Sequence, residues 1–255
     1  MLRTSFGLYL LLTVSGFAQS NLQVTSAGNA AIGIAPEGLA TLTGSGLASQ
    51  TAKATATPWP TTLAGVTVQV QDSGSVTRPA GLLFVSPGQI NLQVPKGTAL
   101  GPATFIVNNN GATMNTISAV LAVAPALFSV DASGIAAATA ARFTIPTNQG
   151  TQIPVFMCLD NMTGCQFVPI DPGVDSPVYL SFYATGIRGR SPSGTVMVSM
   201  GSVNVPATYA GPQDQFDGLD QINVPLSLNL RGAGTISVSI TADGVTSNPV
   251  KIQVQ

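Results

Sequence analysis

Residues Ser86 to Pro95 read SPGQINLQVP. Pro87-Gly88 has the composition of a tight turn. Beyond it the chain alternates, with Gln89, Asn91 and Gln93 on one side of an extended backbone and Ile90, Leu92 and Val94 on the other. Period-two alternation marks a strand with one wet face and one dry face. The phrase returns as Gly218-Leu219-Asp220-Gln221-Ile222-Asn223-Val224-Pro225, and the two Gln-Ile-Asn triplets lie 132 positions apart. Landmarks on either side recur in the same order. Leu39, Thr41 and Thr43 alternate and end in Gly44-Ser45-Gly46-Leu47, which is answered by Val178 to Tyr183 and Ala184-Thr185-Gly186-Ile187. Val66, Val68 and Val70 are answered by Val196, Val198 and Met200, and Asn110-Gly111 by Asp243-Gly244. Such pairs mark two-residue hairpins, because both turn positions need positive φ. Val120 to Val123 is expected to close the first unit as Val250, Ile252 and Val254 close the second. One β unit has been copied once.

Between the copies, residues 125–177 form an extra piece, expected to elaborate the second unit. Ala136 to Arg142 fits a short helix or an edge strand equally well. Pro154–Cys158 and Gln166–Ile170 read as arms of a hairpin. Short strands at regular spacing, broken by Gly and Pro and without a convincing helix, predict an all-β protein of two tandem β-sandwiches. The expected boundaries are 19–124 and 125–255.

The first 18 residues have the form of a secretory signal: Arg3, an apolar run from Phe6 to Val14, and small residues ending at Ala18. That run is shorter than the ~20 residues needed to cross a bilayer, and no transmembrane segment is expected in the mature chain. Charge is scarce, with 7% Asp, Glu, Lys and Arg and no histidine, against about 25% charged residues in an average soluble protein. Loss of Arg3 with the leader leaves 8 basic and 10 acidic side chains, a net charge near −2. Nucleic acid and anionic lipid are poor partners for such a surface, since both require clustered Lys and Arg. Cys158 and Cys165 are the only cysteines. Their even number, their short spacing and the leader favour a disulfide across a hairpin tip.

The stretches LLFVSPGQINLQVP (82–95) and GPATFIVNNNG (101–111) resemble an uncharacterised C-terminal domain family of secreted, Solibacter-type acidobacterial proteins. In the second half PVFMC, VPIDPG, VYLSFYATGIRGR, ATYAG and GLDQINVPL are similar to the same family. The units also resemble IPT/TIG immunoglobulin-like domains. The resemblance implies export and immunoglobulin-like sandwiches, and it brings no established activity or binding residues.

Few catalytic constellations are available. Without histidine the usual general base and metal ligand are missing, and Glu37 is the only glutamate. Asp72-Ser73-Gly74 matches the short signature of aspartic proteases, but its counterpart Gly201-Ser202 lacks the second carboxylate that this chemistry requires. A hairpin turn is the simpler reading, and an aspartate-based hydrolase the remote one. Asp214, Asp217 and Asp220 could offer oxygen ligands to calcium or simply lie in a solvated loop. Gln89, Asn91, Gln221 and Asn223 could hydrogen-bond a sugar or form the wet face of a sandwich. Trp59, between prolines on a loop, could stack on a sugar ring or anchor that loop over the core. Arg188 and Arg190 could grip an anion or simply be solvated turn residues. The expectation is an exported, non-enzymatic recognition or adhesion module without cofactor, meeting an extracellular protein or glycan. The alternative is an architectural spacer in an exported assembly.

Overall fold

The computed structural model describes residues 22–147, 149–159 and 164–255; the leader expected at 1–18 lies outside them. Seven strands carry the first half: β1 (Gln23–Ser26), β2 (Leu39–Thr43), β3 (Val66–Gln71), β4 (Gly81–Ser86), β5 (Gln89–Gln93), β6 (Gly101–Asn109) and β7 (Ala112–Val120). Seven more carry the second: β8 (Ala138–Thr144), β9 (Val178–Thr185), β10 (Met197–Met200), β11 (Tyr209–Pro212), β12 (Asp220–Pro225), β13 (Gly234–Ala242) and β14 (Val250–Val254).

Each strand has its counterpart seven labels on. In the first half the sheet β1-β2-β5-β4 faces the sheet β7-β6-β3; in the second, β8-β9-β12-β11 faces β14-β13-β10. That order, ABED against GFC, is the constant-type immunoglobulin arrangement. The register repeats as well. Thr41 lies opposite Asn91 as Ser181 lies opposite Asn223, and Val68 opposite Val107 as Val198 lies opposite Ile240. Even the parallel bridge from the lead-in segment to the last strand is shared, between Ile34 and Val120 and between Ile170 and Val254. Both hairpins turn through positive φ, at Asn110 (49°) and Gly111 (98°) and at Asp243 (47°) and Gly244 (81°).

The alternation read from the sequence is the alternation of burial. Ile90 and Leu92 are fully buried with Ala40, Leu42, Val68 and Phe105 in the first core. Ile222 and Val224 join Leu180, Phe182, Val198 and Ile240 in the second. Gln89, Asn91, Gln221 and Asn223 face away from these cores and are half-buried.

Three expectations need correction. Ala136 to Arg142 is neither helix nor sheet edge. Ala138–Thr144 is β8, paired on one side with β9 and on the other with the strand Gln149–Ile153. Helix propensity is a weak prior, and here Ala136, Ala138 and Ala140 are small residues buried in the second core. The piece 125–177 is therefore partly the second sandwich's own first strand, counterpart of β1. The additions to it are Gln149–Ile153 and the hairpin of Phe156–Cys158 with Cys165–Phe167. The closing strand of the first unit is β7, ending at Val120, and not Val120 to Val123. Its inward residues include Thr116 and Ser118, whose hydroxyls donate to the carbonyls of Leu22 and Val24. That polar inner row hides the strand from a hydrophobic pattern.

Cys158 and Cys165 form the disulfide at the hairpin tip. Among the described residues no helix is long and apolar enough to cross a membrane.

Equivalence of the two copies makes a paired prediction. Ile90→Ala and Ile222→Ala should each destabilise by about 2–5 kcal/mol, the range for truncating a buried Ile or Leu. Gln89→Ala and Gln221→Ala, on the outer face, should cost no more than about 1 kcal/mol each. Urea titrations of the four variants check this, and a large loss at either glutamine would contradict the assignment of faces.

Candidate functional site

The candidate residues fall into three places. The first is the junction of the two sandwiches. The loop after β9 carries Gly186-Ile187-Arg188, and the loop before β12 carries Asp217-Gly218-Leu219. Asp220, the first residue of β12, is fully buried. One carboxylate oxygen accepts from Nε of Arg188 at 2.6 Å and the other from the backbone N–H of Ile187 at 3.2 Å. Arg188 also donates to the carbonyl of Leu219 at 2.8 Å and lies 4.0 Å from Glu37 of the first half. Burial pushes the Asp220 carboxyl above its ordinary pKa, opposed by the Arg188 guanidinium. Arg190 donates to the carbonyls of Ile187, Gly194 and Ala210. Neither arginine is the solvated turn residue expected.

These loops grip the first half directly. The Thr185 hydroxyl, buried, accepts from the N–H of Leu39 at 2.7 Å and donates to the carbonyl of Gly218 at 3.0 Å. Ala124 donates its N–H to the carbonyl of Gly186 at 2.9 Å. Gly218 has φ of +86°, and a Cβ there would lie 2.5 Å from Leu39 Cδ2. Only glycine gives both the backbone conformation and the close approach.

Trp59 belongs to this junction. Its Nε1–H donates to the carbonyl of Asp217 at 2.8 Å. Its ring lies nearly parallel to that of Phe216, centroids 6.4 Å apart and planes 16° from each other. The loop holding it is fastened to β4 through N–H groups of Ala54 and Leu82, paired with the carbonyls of Leu83 and Pro60. Beside the two rings opens a cleft of about 600 Å³, lined by Lys53, Thr55, Thr57 and Gln215 as well. Phe216 is 51% exposed. Trp59 is thus both the anchor and a wall of the cleft.

The second place is the outer faces of the two sheets. Gln89 donates its side-chain amide to Asn91 Oδ1 at 2.7 Å, and Gln221 to Asn223 Oδ1 at 2.8 Å. The repeated Gln-Ile-Asn is therefore a clasp between side chains two residues apart on one face of a strand. In the first copy the Thr41 hydroxyl also donates to Asn91 Oδ1 at 3.3 Å.

The third place is the turn at Asp72. One oxygen accepts from the N–H groups of Gly74 and Val76, both at 3.0 Å. The other accepts from Arg78 at 2.5 Å and from the N–H of Ala99 at 3.0 Å. The Ala99 bond first, with those of Val76, Arg78 and Gly74, lowers the Asp72 pKa to about 2 against the opposing effect of burial. Both oxygens of Asp72 are committed to holding this turn.

The three calcium candidates are not gathered into a site. No three acidic, cysteine or histidine side chains are grouped to hold a metal among the described residues. Asp220 is buried against Arg188, and Asp217 contributes its backbone carbonyl to Trp59. Asp214, Asp217 and Asp220 stand three residues apart in the sequence, but that spacing does not bring their carboxylates together.

No family model and no curated protein sequence matches the chain. Among solved structures, bovine butyrophilin is 8% identical, with a TM-score of 0.26, over 92% of this chain and 99% of that one. The titin Ig tandem domains A164-A165 are 11% identical, with a TM-score of 0.23, over 92% and 94%. The full extracellular region of plexin A4 is 10% identical, with a TM-score of 0.22, over 90% of this chain and 24% of that one. The immunoglobulin-like assignment stands on the strand order and register described above.

Two measurements probe these contacts. Asp220→Ala strands Arg188 in the junction and should cost about 3 kcal/mol or more, as breaking a buried pair does; calorimetric melting reads it, and an unchanged melt would refute the lock. Asp72 has a folded pKa below its unfolded value, so its stabilisation is complete above the ordinary 3.8 and is lost as pH falls toward 2. Asp72→Asn should therefore melt lower at neutral pH and show a shallower loss of Tm between pH 4 and pH 2 than the unaltered chain.

Proposed function

We propose that this chain is an exported, non-enzymatic recognition module, with residues 19–124 and 125–255 as its two immunoglobulin-like domains and the Trp59–Phe216 cleft as its contact site. The observation that carries the reading is the aromatic pair itself. An apolar ring left half-exposed in a cleft, beside hydroxyl and amide groups and one lysine, has the make-up of a binding site. Trp59, Phe216, Lys53 and Gln215 are its contact residues, for a glycan or an extracellular polypeptide. The secretory leader, the disulfide, the near-neutral charge and the resemblance to secreted acidobacterial proteins support a setting outside the cytoplasm. Gln89, Asn91 and Gln221 belong to the same reading only as the wet faces of the two domains that flank the cleft.

A second reading, an architectural spacer, is favoured by the junction. Thr185, Gly218, Arg188 and Trp59 lock the two sandwiches into one stiff unit, which is what a spacer in an exported assembly requires.

Phe216→Ala separates the two, because it opens the cleft while leaving the Trp59 and Thr185 hydrogen bonds in place. A glycan array and a pull-down on the secreted fraction, run with the full chain, provide the readout. Recognition through the cleft predicts binding about tenfold weaker in Phe216→Ala, the order of one lost aromatic contact. Binding to a protein partner that is unaffected by Phe216→Ala would favour the spacer and end the cleft's role.

A further inference from the structure

We propose that the outer face of the second sandwich carries a separate binding site for a neutral, hydroxyl-rich ring of the hexose class, formed by Phe143, Tyr179, Ser181, Thr208 and Asn223. It does not depend on the junction cleft.

These side chains line, with Ala141, an open groove of about 360 Å³. Strand alternation brings them there. Tyr179 and Ser181 alternate along β9 with buried Val178, Leu180 and Phe182, and Asn223 alternates along β12 with buried Ile222 and Val224. Register then sets Ser181 opposite Asn223 and Ala141 opposite Tyr179. Phe143 meets Tyr179 edge to face, centroids 5.6 Å apart and planes at 88°. Phe143 lies opposite Gly150, where a Cβ would come within 3.0 Å of the ring. The pair therefore presents a fixed apolar corner.

Polar groups converge on that corner with capacity to spare. Gln221 occupies Oδ1 of Asn223, which orients the amide and leaves its Nδ2 donors without a partner among the described residues. The Ser181 hydroxyl likewise makes no hydrogen bond among them. The Thr208 hydroxyl gives its proton to the carbonyl of Asn223 at 3.1 Å and keeps its lone pairs. A fixed amide donor, a free hydroxyl and an acceptor beside an aromatic ring match a sugar's hydroxyls and its C–H face. No charged group among the described residues lines the groove. Arg142, next in sequence to Phe143, is turned to the carbonyls of Asp171 and Ser176 at 2.7 and 3.3 Å. A phosphate or carboxylate would find no cation there, and an amine no carboxylate.

The first sandwich supplies an internal control. Its matching positions are Leu39, Thr41 and Asn91. There Thr41 spends its hydroxyl on Asn91, and Leu39 lies under Gly218 at the junction. The copy whose face is covered lacks the aromatic and the free hydroxyl; the copy whose face is open has both.

The test titrates the full chain with neutral glucose-, mannose- and galactose-based oligosaccharides by calorimetry, after screening them on an array. Tyr179→Leu installs the first copy's residue and keeps apolar bulk without the ring. Asn223→Asp keeps the shape and the acceptor for Gln221 but removes Nδ2. Each should weaken binding about tenfold, and melting curves confirm that both variants fold. The proposal is overturned if no neutral oligosaccharide binds, if both variants bind as the unaltered chain does, or if Phe216→Ala alone abolishes binding. That last result would leave the junction cleft standing as the site.

Discussion

A strand that carries Ile90 and Leu92 on one face and Gln89, Asn91 and Gln93 on the other has only one face to offer the core when it pairs with β2. A slip of one residue would turn the isoleucine and leucine to water and drive three amides into the core. The same constraint holds for β12 against β9, where Ile222 and Val224 are the dry row. Once this central pair is set in each half, Ala40 and Leu42, or Leu180 and Phe182, are placed by cross-strand pairing. The facing sheet must then present Val68, Val70 and Phe105, or Val198, Met200 and Ile240, to fill the space between. The Gln–Asn clasp on the wet face adds a side-chain hydrogen bond within each of these strands.

Charge is used sparingly, and mostly to hold loops. Arg78 with Asp72 and Arg188 with Asp220 form close ion pairs, and each closes a turn beside a sheet end. A buried pair contributes little net stability, since desolvation offsets the attraction, but removing one partner is costly. Such pairs favour one loop arrangement over others more than they strengthen the fold. At Asp72 four donors converge on one carboxylate. At Asp220 the pair organises Ile187, Leu219 and Gly218, and through them the contact with Leu39 and Glu37. The surface, left with few charges, is covered by threonine, serine, asparagine and glutamine.

Legibility in the sequence followed periodicity. The duplication, the central strands and both hairpins could be read because each has a dry row of Val, Ile or Leu or an Asn-Gly or Asp-Gly turn. Strand β7 could not, because its inner row includes Thr116 and Ser118, which reach across to carbonyls of Leu22 and Val24. Strand β8 was hidden by alanines, whose propensity for helix says nothing of the pairing available on both sides. The junction was illegible for a different reason. Thr185 and Leu39 lie 146 positions apart, and Trp59 and Asp217 lie 158 apart. No local pattern encodes a contact between two separate domains. Its trace was the charge that the second copy adds to shared landmarks: Arg188 stands where the first copy has Ala48, and Asp220 where it has Gly88.

That asymmetry explains how two copies of one fold came to differ in what they can touch. Where the second half's loops press on Leu39, the first half's outer sheet is closed at that end, and its threonine and asparagine satisfy each other. Nothing in the described residues covers the corresponding end of the second outer sheet. Tyr179 there is 37% exposed, and its neighbours are serine, threonine and asparagine with hydrogen-bonding capacity unspent. An aromatic pair on a sheet face contributes stability of its own, whereas an oriented amide with unspent donors beside it adds none. The scaffold is shared; the difference between its two outer faces is what a binding role would produce.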